Sequence, residues 1–300
     1  MEPIESVCLC GAGYLGWQIS LQCASHEIPV RLYDISEEAL EKSSEHIRNE
    51  LKSWTIDDKV TPEDVEAILS RVTSHNALAE AVKGVDLVIE AVPERLDLKR
   101  DVFAQLDDAC DDDTIFATNS SSIRISKIED ATGRLDRVLN THFYNTPWKR
   151  SVVELMRGTG TSDETLERMR LFMVSIGITP LMVLRESTGF IFNRVWRSIK
   201  RECLHLVDQG VASFQDVDRA WMTLYETPYG PFGMMDRVGL DVVRDIEMVY
   251  YEESGAERDA PPGMLLEMVE RGELGFKTGK GFYSYPDPAF LDPGFLKGKS

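Results

Sequence analysis

Two residues that could do acid-base chemistry, His142 and Glu154, lie in the stretch NTHFYNTPWKRSVVEL, residues 140–155. Two strand-like apolar runs flank a turn rich in Asn, Thr and Pro, which predicts a β-hairpin with one of the two residues on each strand. An imidazole beside a carboxylate can accept a proton near neutral pH, because the acid fixes the ring tautomer and stabilises the imidazolium. The same pair could instead be a buried polar contact or two solvated side chains. The elements that position the pair must decide between these interpretations.

The composition limits the classes of protein to which the chain can belong. Its 300 residues are 43% hydrophobic, which is enough for a sizeable core and suggests about two domains. A formal net charge of −18 argues against a nucleic acid partner, because phosphate binding needs clustered Lys and Arg. The N-terminal stretch MEPIESVCLC lacks a basic leader and a signal-like apolar segment, and no apolar run is long enough to cross a membrane. We therefore expect a cytoplasmic protein that binds neither nucleic acid nor membrane.

The cysteines and an acidic run could suggest a disulfide or a metal site, but both features have simpler explanations. The chain has five cysteines, which are Cys8, Cys10, Cys23, Cys110 and Cys203. This count is odd and sparse, so a disulfide framework is not expected, and no second Cys or His pair completes a zinc site with Cys8 and Cys10. The acidic run Asp107–Asp113 falls between a predicted helix and a predicted strand, where charges are normally solvated. We predict reduced thiols and no metal.

The first part of the chain alternates strands with helices. A strand over Glu5–Cys10, a helix from Tyr14 to about His26 and a strand over Val30–Tyr33 form one βαβ unit. A helix over 37–53 and a second that begins at Thr61-Pro62 form a helical insertion. Further strands, mostly separated by helices, are predicted at Asp86–Ala91, Ile115–Thr118, Val138–Phe143, Val152–Met156 and Ile178–Leu184. Residues 1–186 are thus predicted to form a doubly wound, Rossmann-like α/β domain.

The pattern becomes helical after Arg185. Apolar residues recur at helical spacing from Gly189 until Gly210, a residue typical of a helix end. Further helices are predicted at Phe214–Leu224, Leu240–Tyr251 and Met264–Arg271. We predict a smaller all-helical domain over residues 187–300, whose apolar surfaces could be core or dimer contact.

A glycine motif at the first turn indicates a dinucleotide site. Gly11, Gly13 and Gly16 fit the pattern G-x-G-x-x-G between a predicted strand and a predicted helix, which is the context that the motif requires. The glycines permit a tight turn, close approach of a pyrophosphate and close packing of helix on strand. Asp34 ends the second strand, where a carboxylate can accept hydrogen bonds from ribose hydroxyls and would repel a 2′-phosphate. This electrostatic argument favours NAD over NADP.

Several motifs, taken in order, make the chain similar to the L-3-hydroxyacyl-CoA dehydrogenase family, in its single-function form that includes 3-hydroxybutyryl-CoA dehydrogenases. The motifs span nearly the whole sequence and are GAGYLG, LVIEAVPE, TNSSS, THFYN, VVELM, TGFIFNR, YGPFGMMDRVGLD and GFKTGKGFYSY. The resemblance implies NAD-dependent interconversion of a 3-hydroxyacyl-CoA and its 3-oxo thioester, with a short acyl chain. It also implies a homodimer.

The resemblance further implies roles for individual residues. His142 matches the catalytic base, Glu154 the carboxylate that orients it, and Ser121 and Asn193 two catalytic hydrogen-bonding residues. The residues at or beside positions around the cofactor are Gly11, Gly13, Tyr14, Leu15, Gly16, Asp34, Glu90, Arg95, Ser121, Asn145 and Lys277. Alcohol oxidation sends a hydride to the nicotinamide and a proton to a base, which suits the imidazole of His142.

Two segments depart from the family pattern. Family members usually have an apolar turn where this chain has Thr146–Arg150, so Trp148 could narrow an acyl pocket or cover the hairpin, and Lys149 with Arg150 could meet an anionic group or solvent. The helical insertion is rich in acids and poor in lysines, which weakens attraction for CoA phosphates. Two alternatives therefore stay open: a dehydrogenase of a free hydroxy acid, such as the gulonate or carnitine enzymes, and a catalytically silent NAD-binding protein.

Overall fold

The computed structural model describes residues 2–298, and the chain divides into two compact units with their boundary between Ile191 and Phe192. The sequence suggests a boundary at residues 186 and 187, slightly earlier in the chain. Residues 187–191 belong with the first unit because Phe190 packs against buried side chains of that unit and the Ile191 N–H donates to Glu154.

The first unit is built around one eight-stranded sheet. Its strands are β1 Val7–Cys10, β2 Val30–Tyr33, β3 Val72–His75, β4 Leu87–Glu90, β5 Ile115–Thr118, β6 Val138–Phe143, β7 Val152–Arg157 and β8 Thr179–Val183. Their order is β3-β2-β1-β4-β5-β6-β7-β8, and only the β6–β7 pair is antiparallel. A parallel sheet of this kind must be covered on both faces.

Helices on both faces provide that cover. They are α1 Tyr14–Ser25, α2 Glu37–Ile56, α3 Pro62–Ser70, α4 Leu78–Ala81, α5 Leu96–Ala109 and α6 Asp163–Ser175. Val7 and Leu9 of β1 belong to one apolar cluster and Cys8 and Cys10 to another, because successive strand residues point to opposite faces. The doubly wound fold predicted from sequence is confirmed. The predicted start of the second helix of the insertion is also confirmed, since Thr61 forms a capping box at the beginning of α3.

Two details of the first unit differ from the sequence prediction. Strand β3 was not predicted, because only one of the four residues in its sequence VTSH is apolar and the strand lies at the edge of the sheet. Between β5 and β6 the chain forms three 3-10 turns instead of an α-helix. The side chain of Asn140 accepts from the Ile125 N–H and donates to the Ile123 carbonyl, which satisfies backbone groups that a helix would otherwise pair internally.

The second unit is helical, and among residues 192–298 only isolated β-bridges accompany the helices. The helices are α7 Phe192–Asp208, α8 Phe214–Tyr225, α9 Pro231–Val238, α10 Leu240–Ser254 and α11 Gly263–Glu270. Helix α9 was not predicted because its surroundings are rich in Gly and Pro, yet Pro231 occupies a favoured first position. Asp218 secures this helix by accepting hydrogen bonds from the N–H groups of Phe232 and Gly233, at 2.8 and 3.0 Å. No helix within residues 2–298 combines the length and hydropathy that crossing a bilayer would require.

Candidate active site

A cleft of about 280 Å³ opens at the carboxyl ends of β1, β4, β5 and β6, in the first unit. Its lining residues are Tyr14, Leu15, Ala91, Val92, Glu94, Lys99, Asn119, Ser121 and His142. The chain leaves β1 toward β2 on one side and continues with β4 on the other, so the cleft lies where the strand order reverses. Open α/β sheets bind their ligands at this position.

The glycine loop at the end of β1 has the geometry of a pyrophosphate site. Gly11 has φ +115°, and a Cβ there would lie 2.8 Å from the carbonyl carbon of Ala91. A Cβ on Gly16 would lie 1.9 Å from the Gly11 oxygen, whereas no atom lies within 4 Å of the Cβ position of Gly13. Helix α1 begins directly after this open position without a side-chain cap or an acid in its first turn. Its first N–H groups can therefore receive the diphosphate of NAD.

Asp34 lies beside this loop, at the end of β2. One carboxylate oxygen accepts from the Ala12 N–H at 2.8 Å, and the other accepts from the Ser36 N–H at 2.9 Å. Each oxygen keeps a further acceptor site, because an ionised carboxylate has about four. The carboxylate thus ties the glycine loop to the start of α2, and its contact with the ribose stays a prediction.

His142 and Glu154 form a direct cross-strand pair. The antiparallel register of β6 and β7 places the two residues opposite each other, and His142 Nδ1 lies 2.9 Å from Glu154 Oε2. Glu154 is fully buried and also accepts hydrogen bonds from the Tyr144 hydroxyl and the Ile191 N–H, both at 2.8 Å. Burial, together with the bond to Glu154, raises the pKa of Tyr144, so this residue stays a neutral donor. The carboxylate is thereby supplied with several donors inside the protein.

The imidazole is held in one orientation with one nitrogen left available. The ring of His142 lies 4.6 Å from that of Tyr144 and 5.1 Å from that of Phe190, between centroids. Since Glu154 accepts the proton on Nδ1, the lone pair of the neutral ring is on Nε2. Within residues 2–298, Nε2 has no hydrogen-bond partner, and the residue lines the cleft. The pair can therefore accept a proton from a group bound there.

The three serines that follow β5 have different surroundings. Ser120 caps the Ile123 N–H, at 2.8 Å, and Ser122 donates to Glu94 through both its N–H and its hydroxyl. Burial opposes ionisation of Glu94, but hydrogen bonds from Ser120 and Ser122 and the charge of Lys99 lower its pKa overall. Ser121 is exposed, lines the cleft and has no hydrogen-bond partner for its hydroxyl within the described residues. Of the three hydroxyls, that of Ser121 is the one available to a ligand.

We expect Ser121→Ala to lower kcat by ~10²-fold, because an oriented donor to the reacting oxygen is typically worth that much. The matched variant Ser122→Ala removes a hydroxyl that serves Glu94 and should change kcat by less than about threefold. Steady-state kinetics of the two variants measure the difference. Equal losses in both would show that the serines act only through loop structure.

The structure does not place Glu90 or Arg95 in the cleft. Glu90 is fully buried, where it accepts from Lys99 Nζ at 2.7 Å and from the Thr118 hydroxyl at 2.6 Å. Arg95 is exposed and pairs with Asp97. Glu90 also accepts the N–H of Val92 at 2.7 Å, and Val92 lines the cleft. Any effect of Glu90 on a bound cofactor is therefore indirect, through Lys99 and Val92.

Three further polar residues line the cleft but were not predicted as site residues: Glu94, Lys99 and Asn119. Lys99 is buried and lies 3.3 Å from Glu94 Oε2 as well as 2.7 Å from Glu90 Oε1. Asn119 accepts the Phe143 N–H at 2.9 Å and so joins the ends of β5 and β6. The available signal was the presence of Glu90 and Glu94 between the end of β4 and Lys99 in the sequence. A lysine that is buried near the end of a strand needs acidic partners, and these two residues are close enough in the chain to provide them.

The remaining predicted residues lie outside the lining of the cleft. Asn145 follows β6, is exposed and accepts a hydrogen bond from Arg150. Asn193 and Lys277 belong to the second unit: Asn193 lies in the first turn of α7, and Lys277 pairs with Asp241 at 2.5 Å. Their roles stay predictions.

Comparison with known proteins identifies relatives over both units of the chain. Residues 6–187 match the NAD binding domain of 3-hydroxyacyl-CoA dehydrogenase, and residues 189–285 match its C-terminal domain. The chain is 32% identical over 284 residues to a probable 3-hydroxybutyryl-CoA dehydrogenase of Bacillus subtilis (strain 168), covering 95% of this chain and 98% of that protein.

Solved structures give the same result. The crystal structure of (S)-3-hydroxybutyryl-CoA dehydrogenase from Ralstonia eutropha has a TM-score of 0.90 at 33% identity, covering 95% of this chain and all of that one. A diketoreductase that acts on dicarbonyl compounds has a TM-score of 0.82 at 32% identity, with 95% and 100% coverage. The chain therefore belongs to the 3-hydroxyacyl-CoA dehydrogenase family, and its first unit is an NAD-binding domain of that family.

Proposed function

We propose that the chain catalyses the NAD-dependent oxidation of a short-chain L-3-hydroxyacyl-CoA to the 3-oxoacyl-CoA, and the reverse reaction. One observation supports the chemistry above all others: His142 Nδ1 is bound to buried Glu154 while Nε2 is left available at the cleft. Family membership supports the substrate class, since relatives named for 3-hydroxybutyryl-CoA match 95% of the chain.

The residues of the cleft suit an alcohol oxidation. Bound NAD supplies the hydride acceptor. His142 Nε2 takes the hydroxyl proton as the carbon loses its hydride, and Glu154 stabilises the resulting imidazolium. The Ser121 hydroxyl donates to the substrate oxygen, which becomes a carbonyl oxygen. In the reverse direction the imidazolium returns its proton to that oxygen, so the same groups serve reduction.

A second candidate is the oxidoreduction of a free hydroxy acid or dicarbonyl compound without CoA. The helical insertion favours it, because α2 and α3 together carry eight acidic and three basic side chains. Such a surface repels the phosphates of CoA. The similarity to a diketoreductase is also consistent with a smaller substrate.

A substrate comparison tests the two candidates. Purified chain is mixed with NADH and either acetoacetyl-CoA, acetoacetate or the dicarbonyl compound acetylacetone, and the loss of NADH absorbance is followed. We expect turnover of acetoacetyl-CoA with a kcat/KM at least tenfold above that of the other two. Turnover restricted to a compound without CoA would replace the first candidate by the second. Replacing NADH by NADPH should abolish activity, because Asp34 repels a 2′-phosphate.

A homodimeric state and a cytoplasmic location complete the proposal. The dimer rests on the family resemblance. Light scattering of the purified chain and fractionation of cells that express it test them separately.

A further inference from the structure

The turn between β6 and β7, Thr146–Arg150, is held in a single geometry. Thr146 adopts φ +58°, unusual for a residue with a branched side chain. Its N–H donates to the side chain of buried Gln18 on α1 at 2.7 Å. Its carbonyl accepts the N–H groups of Lys149 and Arg150, both at 2.9 Å. The turn is thus fixed to the helix that follows the glycine loop.

Trp148 provides the second anchor of this turn. Its ring lies 5.9 Å from that of Trp17 and 5.3 Å from that of Trp54, between centroids, and packs on the apolar cluster formed by α1, α2 and α3. Trp148 therefore covers helices of the first unit and does not line the cleft. With Trp148 turned inward, the two cationic side chains that follow it are exposed.

The two cations of the turn have different surroundings. Asp57 is paired with Lys59, which lowers the pKa of that carboxyl most, and the charge of Lys149 adds a smaller effect in the same direction. Arg150 instead uses one nitrogen, Nη1, to donate to the side-chain and main-chain oxygens of Asn145. In a chain with 51 acidic and 33 basic residues, a guanidinium that bonds a neutral amide keeps its full charge for another anion.

We propose that Arg150 is a specificity-determining residue that binds an anionic oxygen group of the substrate, an inference that rests on the proposed function. Its Nε and Nη2 have no partner within residues 2–298, so one edge of a planar fork is available for a carboxylate or a phosphate. Asn145 follows His142 by three positions, so the backbones of the two residues are at most ~10 Å apart. The Arg150 guanidinium is bonded to Asn145 and therefore lies within the length of one substrate molecule from the imidazole.

The anion could come from either end of the substrate, as a carboxylate on the acyl group or as a phosphate of CoA. A matched set of four compounds separates these sources: 3-oxohexanoyl and 3-oxohexanedioyl thioesters, each of CoA and of N-acetylcysteamine. Comparing the two acyl groups on the same thiol changes only the acyl end, by one carboxylate. Comparing CoA with N-acetylcysteamine for the same acyl group removes the phosphates. For each enzyme the readout is the ratio of kcat/KM between members of a pair. A loss common to both members, such as one transmitted through Asn145, cancels in this ratio.

We expect the wild type to prefer one anionic member over its neutral counterpart by roughly 10- to 100-fold, as charge-assisted hydrogen bonds provide. Arg150→Met should remove that preference, and Arg150→Lys should restore part of it. Lys149→Met should leave it intact, because Arg150 and not Lys149 is the cation bonded to Asn145. If Arg150→Met loses the preference between the two acyl groups, the anion bound by Arg150 is a carboxylate of the acyl group. If it loses the preference between CoA and N-acetylcysteamine, the anion is a phosphate of CoA.

Two results would overturn the inference. One is a wild type with equal kcat/KM for both members of both pairs, and the other is an Arg150→Met variant that keeps the wild-type ratios. Both leave the proposed function standing, because turnover is still observed. Absence of turnover with all four thioesters would instead contradict the proposed function, and the inference with it.

Discussion

Replacing His142 by Gln should lower kcat for both directions of the reaction by ~10²- to 10⁴-fold, the usual contribution of a positioned general base. Glutamine can still donate to Glu154 Oε2, so the buried carboxylate keeps a partner, but its amide cannot accept a proton near neutral pH. The NADH dissociation constant, measured by fluorescence titration, should change by less than about threefold. Stopped-flow single turnovers then measure the chemical step alone.

His26→Gln is the matched control for this prediction. His26 lies at the end of α1, where its Nδ1 contacts the Gln22 carbonyl at 2.9 Å, and it does not line the cleft. The same substitution there should change kcat by less than about twofold. If His142→Gln retained more than a tenth of the wild-type kcat, another group would have to be the base.

Replacing Glu154 by Gln should also lower kcat by roughly 10²- to 10⁴-fold, because the acid fixes the tautomer of its histidine and stabilises the imidazolium. The neutral amide offers one acceptor oxygen where the carboxylate receives His142 Nδ1, the Tyr144 hydroxyl and the Ile191 N–H. Its NH₂ group favours the tautomer in which Nδ1 is the acceptor, so Nε2 carries the proton and cannot take another.

The same variant should be less stable by about 1–3 kcal/mol, since buried donors to a charged acceptor are weakened or left unpaired. Urea unfolding followed by circular dichroism measures this loss. Tyr144→Phe is the control: it removes one donor from Glu154 but leaves the bond to His142, so kcat should fall by less than about tenfold. A Glu154→Gln enzyme within fivefold of wild type would mean that the carboxylate serves only the fold.

The sequence was sufficient wherever the relevant contacts are local. The alternation of strands and helices predicted the doubly wound domain, and the glycine spacing predicted the turn before α1. It was also predictable that His142 and Glu154 would lie opposite each other on neighbouring strands. A hairpin between two strands of regular side-chain alternation brings residues at this separation to one face, and the observed register pairs them directly.

Contacts between distant segments were not predictable in this way. Sequence alone did not separate Ser121 from its two neighbours, because the difference depends on Glu94, which precedes them by more than twenty residues. It did not assign Trp148 to the aromatic cluster of the helical insertion. It also did not show that the carboxylate of Glu90, which the resemblance puts at or beside the cofactor positions, is bonded to Lys99.

The amino-acid sequence by itself determined the order of the elements, the glycine loop and the pairing of an imidazole with an acid, since these follow from backbone periodicity over a few residues. Only the tertiary structure decided which polar side chains remain available at the cleft. That choice depends on which atoms of a side chain receive a hydrogen-bond partner from a distant strand or helix, because buried polar atoms are normally paired and only the atoms left over can bind a ligand.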